Sequence, residues 1–257
     1  MADKESVGNT IKVALLLCIV CSVFVSGAAV ILRPAQQANK ELDKKTNILA
    51  AAGLLKADVS IDEQFASVAA RVVDLDEGKF TEAVDVSVYD QRKAQKDTAL
   101  SDALSSDVDI AKINRRVKYS TVYLIEGEQG IEKVILPIKG SGLWSTLYGF
   151  LALDADFNTV VGIGFYEHAE TPGLGGEVDN PLWKAKWVGK QVYGDDSGVA
   201  LGVIKGQVDI SRPAAVHQID GLSGATLTSK GVHNLIQFWL GENGFEPFLA
   251  NLKNGEA

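Results

Sequence analysis

Cysteine and histidine are scarce in this sequence, and their scarcity excludes two kinds of site. Among 257 residues the only cysteines are Cys18 and Cys21, which share one apolar segment and cannot cross-link the polar remainder of the chain. A domain built on disulfides is therefore excluded. The three histidines, His168, His217 and His233, show no spacing typical of metal ligands. We expect no metal site made by protein side chains.

Positive charge is also in short supply. The chain carries 25 lysines and arginines against 33 aspartates and glutamates, a formal net charge of -8. Nucleic-acid binding needs concentrated Lys and Arg, so we expect no nucleic-acid partner. The sequence also has no Gly-x-Gly-x-x-Gly after a predicted strand, so we expect no dinucleotide-binding site.

Residues 13–32 form a run of twenty positions without a charge, bracketed by Lys12 and Arg33. A helix of that length spans about 30 Å, the thickness of a bilayer core. The alternative is a cleaved signal peptide, because the small residues 26–29 resemble a cleavage site. A signal core is usually about 7–15 residues long and follows a positive tail, whereas this run is longer and residues 1–12 are close to neutral. We interpret the run as a retained transmembrane helix.

Two features of this apolar segment stay open. Four basic residues follow it within residues 33–45, which mildly opposes an outside domain under the positive-inside rule, so charge leaves the orientation undecided. Cys18 and Cys21 lie three apart and share one helix face. We interpret them as packing residues against other membrane helices, and a role at a partner's metal cluster has no other support in the sequence.

The segment after the span is predicted to be mostly helical. Residues 36–53 place apolar positions at helical spacing among Lys, Glu and Gln, and Gly53 is a suitable stop, so we expect a stalk helix. A second helical piece is expected over residues 61–73, followed by a turn at 76–78. Residues 89–116 are polar and charge-rich and predict an exposed helix or an insertion.

The second half of the chain changes to short strands, which are predicted over residues 120–125, 133–138, 147–153, 160–166 and 199–205. Helices are predicted near Pro181 and after Ser229, where Ser229 is expected to cap a helix that ends at Leu240. These patterns predict an α+β fold: a single N-terminal transmembrane helix followed by a mixed soluble domain with an antiparallel sheet and flanking helices. The expected organisation is a tail (1–12), a transmembrane helix (13–32), a membrane-proximal helical stalk and insertion (33–118) and a C-terminal domain (119–257).

Ten residues near the C-terminus, 220–229 (Asp-Gly-Leu-Ser-Gly-Ala-Thr-Leu-Thr-Ser), concentrate four hydroxyls among small residues. No general base adjoins these hydroxyls, so nucleophilic catalysis is not indicated and we assign no catalytic residue. A helix is predicted to follow, and helix N-termini attract phosphate through free N–H groups and the helix dipole. The stretch is equally compatible with a helix-capping loop and with a site for a phosphorylated cofactor. The candidate cofactor-binding residues are Asp220, Ser223, Gly224, Ala225, Thr226 and Thr228.

Two other loops supply further candidates. Residues 170–177 contain three glycines, one proline and an isolated leucine. An apolar leucine is not expected at the tip of an ordinary surface loop. Contact between this leucine and the flat ring of a ligand would explain its presence. Residues 139–144 place glycines before a tryptophan, which is compatible either with a pocket edge or with a core aromatic. The candidates from these two loops are Thr171, Gly173, Leu174 and Trp144.

With these motifs in view, the chain resembles, nearly end to end, the family of C subunits of the sodium-translocating NADH:quinone reductase, the Nqr complex. The resemblance is carried by the apolar run and by residues 89–94 (Tyr-Asp-Gln-Arg-Lys-Ala), 134–137 (Val-Ile-Leu-Pro), 142–145 (Gly-Leu-Trp-Ser) and 170–177. The C-terminal half is also similar to the FMN-binding domain shared with the G subunit of the Rnf complex. That domain carries the pattern Asp-Gly-x-Ser/Thr-Gly-Ala-Ser/Thr, which residues 220–226 match at every fixed position.

The resemblance implies FMN bound covalently through its phosphate to Thr226, whereas Thr228 and Ser229 lie beyond the pattern. It implies attachment by a magnesium-dependent flavin transferase that uses FAD, with Asp220 either placing that enzyme's metal or, as we prefer, fixing the turn. It further implies an oxidoreductase subunit that relays electrons among the other Nqr subunits. The expected location is a bacterial inner membrane, with one span and a periplasmic domain.

Two other functions are compatible with the residues alone. The plain remainder of the chain fits a membrane-tethered binding or scaffold protein without a redox group. A tethered hydrolase using Ser223 or Ser229 needs a Ser–His pair with an orienting carboxylate, which sequence does not establish.

Overall fold

The computed structural model describes residues 6–128, 130–195 and 198–257, so the start of the expected tail, residues 1–5, lies outside it. The helices are α1 (Val7–Ala51), α2 (Ile61–Phe65), α3 (Gln91–Ala94), α4 (Pro181–Ala185), α5 (Thr226–Trp239) and α6 (Glu246–Asn254). Short 3-10 helices cover Gly175–Asp179 and Pro213–His217. The strands are β1 (Val68–Asp74), β2 (Lys79–Phe80), β3 (Ser101–Ala103), β4 (Arg115–Val117), β5 (Tyr119–Gly127), β6 (Gly130–Ser141), β7 (Thr146–Asp154), β8 (Val160–Glu167), β9 (Gly202–Val203) and β10 (Gln218–Ile219).

Helix α1 runs without interruption through the expected transmembrane helix and the expected stalk. Its most apolar 18-residue window has a mean hydropathy of 2.8 and is fully exposed, so the helix is long and apolar enough to cross a membrane. Pro34 lies inside the helix, directly after the apolar run. The helix ends at Ala51, and Gly53 just beyond adopts φ 67°, the left-handed conformation that favours glycine at a helix end. The stop predicted at Gly53 is confirmed.

A six-stranded sheet frames the compact unit that begins at Lys45. Its strand order is β2-β1-β5-β6-β7-β8, and every neighbouring pair is antiparallel. Strands β6 and β7 pair up to Ser141 and Thr146, so a tight loop at 142–145 joins them at one end of the sheet. The α+β prediction, with an apolar N-terminal helix and a mainly antiparallel sheet flanked by helices, is confirmed.

The two faces of the sheet are buried in different cores. On one face Leu136 of β6 belongs to the main core together with Leu235 and Trp239 of α5. On the other face its neighbour Ile135 belongs to a second core with Ile48, near the C-terminal end of α1. Burying side chains of this size contributes about 2 kcal/mol each. Because side chains alternate along a strand, β6 packs against both helical segments at once.

The helix predicted over residues 61–73 is wrong for its second half. Helix α2 ends at Phe65, and Val68–Asp74 is strand β1, paired along its whole length with β5. The β-branched side chains of Val72 and Val73 suit a strand, and pairing with β5 buries both of them. This pairing joins residues before and after position 118 in one sheet.

The charged segment 89–116 takes the form of an insertion, not a single exposed helix. It holds the four-residue helix α3, which Asp90 caps, and the paired strands β3 and β4. The guanidinium of Arg92 in α3 pairs with Glu167 at 3.0 Å and lies 3.9 Å from the centre of the Tyr148 ring. The insertion is thereby fastened to the ends of β7 and β8.

Two further predictions need correction. The strand expected over residues 199–205 is reduced to Gly202–Val203, which pairs in parallel with β10. Helix α5 begins at Thr226, so Ser229 lies inside its first turn and is not the cap. The Ser229 hydroxyl instead accepts the buried Leu222 N–H at 2.9 Å, because that group has no partner in a sheet or helix ladder.

Candidate functional site

The loop that precedes α5 presents bare backbone at the helix N-terminus. Gly224 adopts φ 71°, a conformation that favours glycine, and Ala225 is the N-cap residue. Within the residues that the structure describes, no side chain caps this helix end. The first N–H groups of α5 are therefore available to an anion, which the helix dipole also favours.

Four hydroxyl side chains lie around this helix end, and the structure divides them into two pairs. Thr228 is fully buried, and its Oγ1 donates to Glu170 Oε2 at 2.7 Å. Ser229 is buried and accepts the N–H of Leu222. Ser223 and Thr226 are exposed. Of the four, only Thr226 is both accessible and part of the helix.

Asp220 is held in the turn before this loop by three neighbours. Its Oδ2 pairs with Lys186 Nζ at 2.5 Å, its Oδ1 accepts the Val208 N–H at 2.6 Å, and its carbonyl accepts Trp183 Nε1–H at 2.8 Å. Partial burial acts to raise the pKa of Asp220, but the hydrogen bonds from Lys186 and Val208 outweigh it and the pKa is lowered. These bonds favour a role in fixing the turn.

The carboxylate of Glu170 joins residues 143–145, the loop at 170–177 and the first turn of α5. It is only 5% exposed and accepts the N–H groups of Leu143, Trp144 and Ser145 at 3.2, 2.9 and 3.1 Å, besides the Thr228 hydroxyl. Burial acts to raise the pKa of Glu170, but the hydrogen bonds from Thr228 and these three N–H groups stabilise the anion more, and the pKa is lowered. The group is an anion held by neutral donors.

The loop at 170–177 bends back on itself at Gly173, which has φ 75°. The N–H groups of Leu174 and Gly176 donate to the carbonyl of Thr171 at 3.1 and 2.9 Å, closing the bend. Leu174 lies against Gly224, where an added Cβ would stand 2.9 Å from Leu174 Cδ2. The bend therefore brings Leu174 against the loop that precedes α5. Thr171 and Gly173 form the bend itself.

Exposed apolar side chains occur in each of the three segments that Glu170 joins. Trp144 is 71% exposed and is therefore not a core aromatic. Of the two alternatives from the sequence, the edge of a pocket remains. Leu143, Leu174 and Leu227 are exposed as well. Where exposed large apolar groups form one patch, they usually mark a binding site. Glu170 joins the segments that carry the candidates of all three loops, because it binds both the N–H group of Trp144 and the hydroxyl of Thr228.

Glu170, Leu143 and Leu227 are not among the candidates from the sequence, and of these Glu170 is the residue that joins the three segments. Glu170 has a usable signal, because an acidic residue that opens a glycine-rich loop is well placed to accept backbone N–H groups. Leu143 and Leu227 have no such signal, since an exposed leucine and a core leucine look alike in sequence.

In the described ranges no group of three or more His, Cys, Asp and Glu side chains is arranged to hold a metal ion. Near the site, His168 Nε2 is paired with Asp179 Oδ2 at 2.7 Å, and its Nδ1 accepts the Glu170 N–H at 3.2 Å. This histidine therefore supports the loop that carries Glu170.

The chain is similar to known proteins along its whole length. Residues 142–241 match the FMN-binding domain family, a span that includes every candidate site residue. The chain is 57% identical over 261 residues to the C subunit of the Na(+)-translocating NADH-quinone reductase of Pseudomonas aeruginosa, with 100% of both chains covered. It is 46% identical over 256 residues to the corresponding protein of Vibrio alginolyticus, covering 99% of this chain and 98% of that one. The crystal structure of Shewanella oneidensis NqrC superposes with a TM-score of 0.77 at 35% identity, covering 84% of this chain and 99% of that chain.

Proposed function

The chain belongs to the family of C subunits of the Na(+)-translocating NADH-quinone reductase. On this basis we propose that the chain carries FMN bound covalently to Thr226 and that the bound FMN relays electrons. Membership makes the chain a subunit of an oxidoreductase complex, with an FMN-binding domain at residues 142–241. The other subunits of that complex are its expected partners.

The position of Thr226 supports the attachment site most strongly. It is the one hydroxyl of the loop that is both exposed and part of the first turn of α5. A phosphate on its side chain is next to uncapped N–H groups, whose partial positive charge offsets the phosphate charge. Gly224 leaves the backbone bare beside it. Thr228 and Ser229 are both buried and already hydrogen-bonded, so neither competes as an acceptor.

The proposed attachment requires a partner enzyme, because a threonine hydroxyl is a weak nucleophile and the sequence places no base next to Thr226. A magnesium-dependent flavin transferase with FAD as donor meets this need. Thr226 Oγ1 forms the ester with the FMN phosphorus, the pyrophosphate bond of FAD breaks, AMP leaves and the hydroxyl proton passes to solvent. Asp220 is already bonded to Lys186 and Val208, so its role in this scheme is to fix the turn, not to bind the metal of the transferase.

The residues present fit FMN as the bound group. When bound, FMN supplies one-electron and two-electron transfer in a single group. Leu174 and Trp144, with Leu143 and Leu227, offer apolar surface that orients the ring and keeps water from its faces. The covalent ester prevents the cofactor from being lost by dissociation.

Helix α1 supplies the proposed membrane anchor. We place the chain in a bacterial inner membrane with a single span and the FMN-binding domain on the periplasmic side. The length and hydropathy of α1 support the span. The periplasmic side follows from the resemblance, and labelling of the domain by a membrane-impermeant reagent in intact spheroplasts tests it.

The proposal is tested by in-gel flavin fluorescence after denaturation. The chain is co-expressed with a flavin transferase, unfolded, and separated by electrophoresis, so any non-covalent flavin washes out. We expect a fluorescent band for the wild type and for Thr228→Val, and none for Thr226→Val. Absence of fluorescence in the wild type would favour the scaffold alternative, and a band that survives Thr226→Val would place the linkage elsewhere.

A further inference from the structure

We infer that Glu170 is the positioning residue of this site: its buried carboxylate fixes the loop of Trp144, the loop of Leu174 and the first turn of α5 relative to one another before any flavin is attached. The fixed arrangement itself is independent of the proposed cofactor. Its consequence for the flavin rests on the proposed function.

Both carboxylate oxygens are fully used. Oε1 accepts the N–H groups of Trp144 and Ser145 and, at 3.4 Å, the Ser145 hydroxyl. Oε2 accepts the Leu143 N–H at 3.2 Å and the Thr228 hydroxyl at 2.7 Å. The Ser145 hydroxyl also accepts the Ala169 N–H at 2.8 Å, which ties the same two loops a second time. One carboxylate therefore links a β6–β7 loop, a loop after β8 and a helix.

The backbone around the carboxylate is shaped to admit it. A Cβ added to Gly142 would stand 2.5 Å from Glu170 Oε1. A Cβ added to Gly175 would stand 2.6 Å from Thr228 Oγ1 and 2.7 Å from Glu170 Oε2. Contacts this short are not tolerated by a real side chain, so Gly142 and Gly175 must stay bare for the carboxylate to reach its donors.

A carboxylate suits this place better than any other side chain. Three backbone N–H groups and the hydroxyls of Thr228 and Ser145 converge on it, and a carboxylate is an acceptor on both oxygens. In Glu170→Gln the amide oxygen retains the Trp144 and Ser145 N–H groups. The amide NH2 then faces the Leu143 N–H, donor against donor, whereas the Thr228 hydroxyl rotates to accept. In Glu170→Asp the side chain is one methylene shorter, so both carboxylate oxygens fall short of their hydrogen-bond donors.

This difference between donors gives a readout that general destabilisation does not reproduce. In Glu170→Gln we expect the Leu143 amide to lose its partner while the Trp144 and Ser145 amides keep theirs. A merely weakened fold instead raises the exchange of all hydrogen-bonded amides together, including the partly buried Val208 N–H, which bonds to Asp220 far from the substitution in sequence.

The first experiment measures single-amide hydrogen exchange on the full chain in detergent, in a flavin-free Thr226→Val background. We expect Glu170→Gln to speed exchange at Leu143 by about tenfold or more, and Glu170→Asp to speed it at Leu143, Trp144 and Ser145 together, with Val208 unchanged. The matched control is Glu167→Gln, an acid in the same segment that pairs with Arg92 and touches none of these amides. Unchanged exchange at Leu143, or equal acceleration at Val208, overturns the inference.

The second experiment uses the flavin-loaded chain with Thr226 intact. We expect Glu170→Asp to load flavin to the wild-type extent by intact mass, but to lower the fluorescence anisotropy of the bound flavin, with Glu170→Gln between it and the wild type. Equal anisotropy in all three overturns the consequence for the flavin. If the wild type itself loads no flavin, the proposed function fails, while the exchange result still decides the role of Glu170.

Discussion

The side chain of Leu174 lies directly against the bare α-carbon of Gly224, so that a Cβ at position 224 would stand 2.9 Å from Leu174 Cδ2. This contact joins the tip of the 170–177 loop to the residue that precedes the N-cap of α5. The left-handed conformation of Gly224, φ 71°, turns the chain into α5, which begins two residues later at Thr226. The two motifs that stand out in the sequence therefore meet at one point.

Replacing Gly224 by alanine tests this contact. We expect Gly224→Ala to lower the free energy of unfolding by about 2 kcal/mol, from the left-handed backbone and from the crowded Leu174 together. Gly173→Ala is the matched control, because Gly173 has a similar φ of 75° but open space where its Cβ would stand. Urea unfolding measures both. A loss in Gly224→Ala no larger than that in Gly173→Ala contradicts the contact.

The two threonines of the first turn of α5 should respond in opposite ways. Thr228→Val removes a buried hydroxyl and leaves Glu170 short of a donor, so we expect a loss of about 1–3 kcal/mol in stability with flavin loading retained. Thr226→Val changes an exposed residue, and we expect a stability change within about 0.5 kcal/mol with loading abolished. Unfolding curves and intact mass of both variants separate the two roles. Comparable stability losses in both variants would contradict this division.

Low pH should lower the folding stability of the chain by protonating Glu170. Its pKa is lowered in the folded chain, so its contribution to stability is fully present above the unfolded-state pKa of 4.5 and is lost as pH falls through the folded-state value. We expect the wild type to lose more stability than Glu170→Gln between neutral pH and the acid limit of folding. Asp220, Asp156 and Asp90 also have lowered pKa values. The free energy of unfolding of Glu170→Gln should therefore still fall with decreasing pH, but less steeply than that of the wild type. Parallel urea curves at each pH measure the difference, and identical slopes would contradict the prediction.

Alkali should stabilise the fold through Lys139, a lysine of β6 whose Nζ donates to Gln95 Oε1 at 2.5 Å. Burial, with a smaller contribution from the nearby Arg92 charge, lowers the pKa of Lys139 to about 8. Between that value and the unfolded-state pKa of 10.5 the unfolded chain binds more protons, so stability rises with pH. We expect a gain of about 1 kcal/mol from pH of about 8 to about 9.5 in the wild type, absent from Lys139→Met.

The exposed Lys93 supplies the control for that series, since Lys93→Met removes a lysine whose side chain is 87% exposed. The free energy of unfolding of Lys93→Met should rise with pH as steeply as that of the wild type. The series stops below the range where tyrosines ionise in the unfolded chain, because burial raises the pKa of Tyr89 to about 12 and ionisation then opposes the lysine. A Lys139→Met slope equal to the wild-type slope would show that folding does not lower the pKa of Lys139 and would contradict the prediction.

Sequence patterns predicted the parts of this fold that depend on local chemistry. The strands around the 142–145 loop, the end of α1 at Gly53 and the hydroxyl cluster at 220–229 all follow from neighbours in the chain. Strand β1 was missed because its partner β5 lies about 50 residues away, while the charged start of the same segment favours helix. The choice between strand and helix there depends on a pairing that no local pattern records.

The same limit applies to the site. The acceptor pattern ending at Thr226 is contiguous and therefore visible in sequence. The roles of Glu170 and Ser229 are not, because each binds backbone from a different segment: Glu170 reaches residues 143–145, and Ser229 turns back to Leu222. Ser229 has the composition of a cap, and only the folded loop reveals that its hydroxyl is already used.

Peptide mapping of the chain isolated from its assembled membrane complex tests the central claim most directly. We predict that the peptide containing Thr226 carries the mass of FMN less one water, with fragmentation placing it on that threonine, and that peptides containing Ser223 alone carry none. A flavin-containing complex in which Thr226 is unmodified, with the chromophore on another residue of this chain or on none, would contradict it.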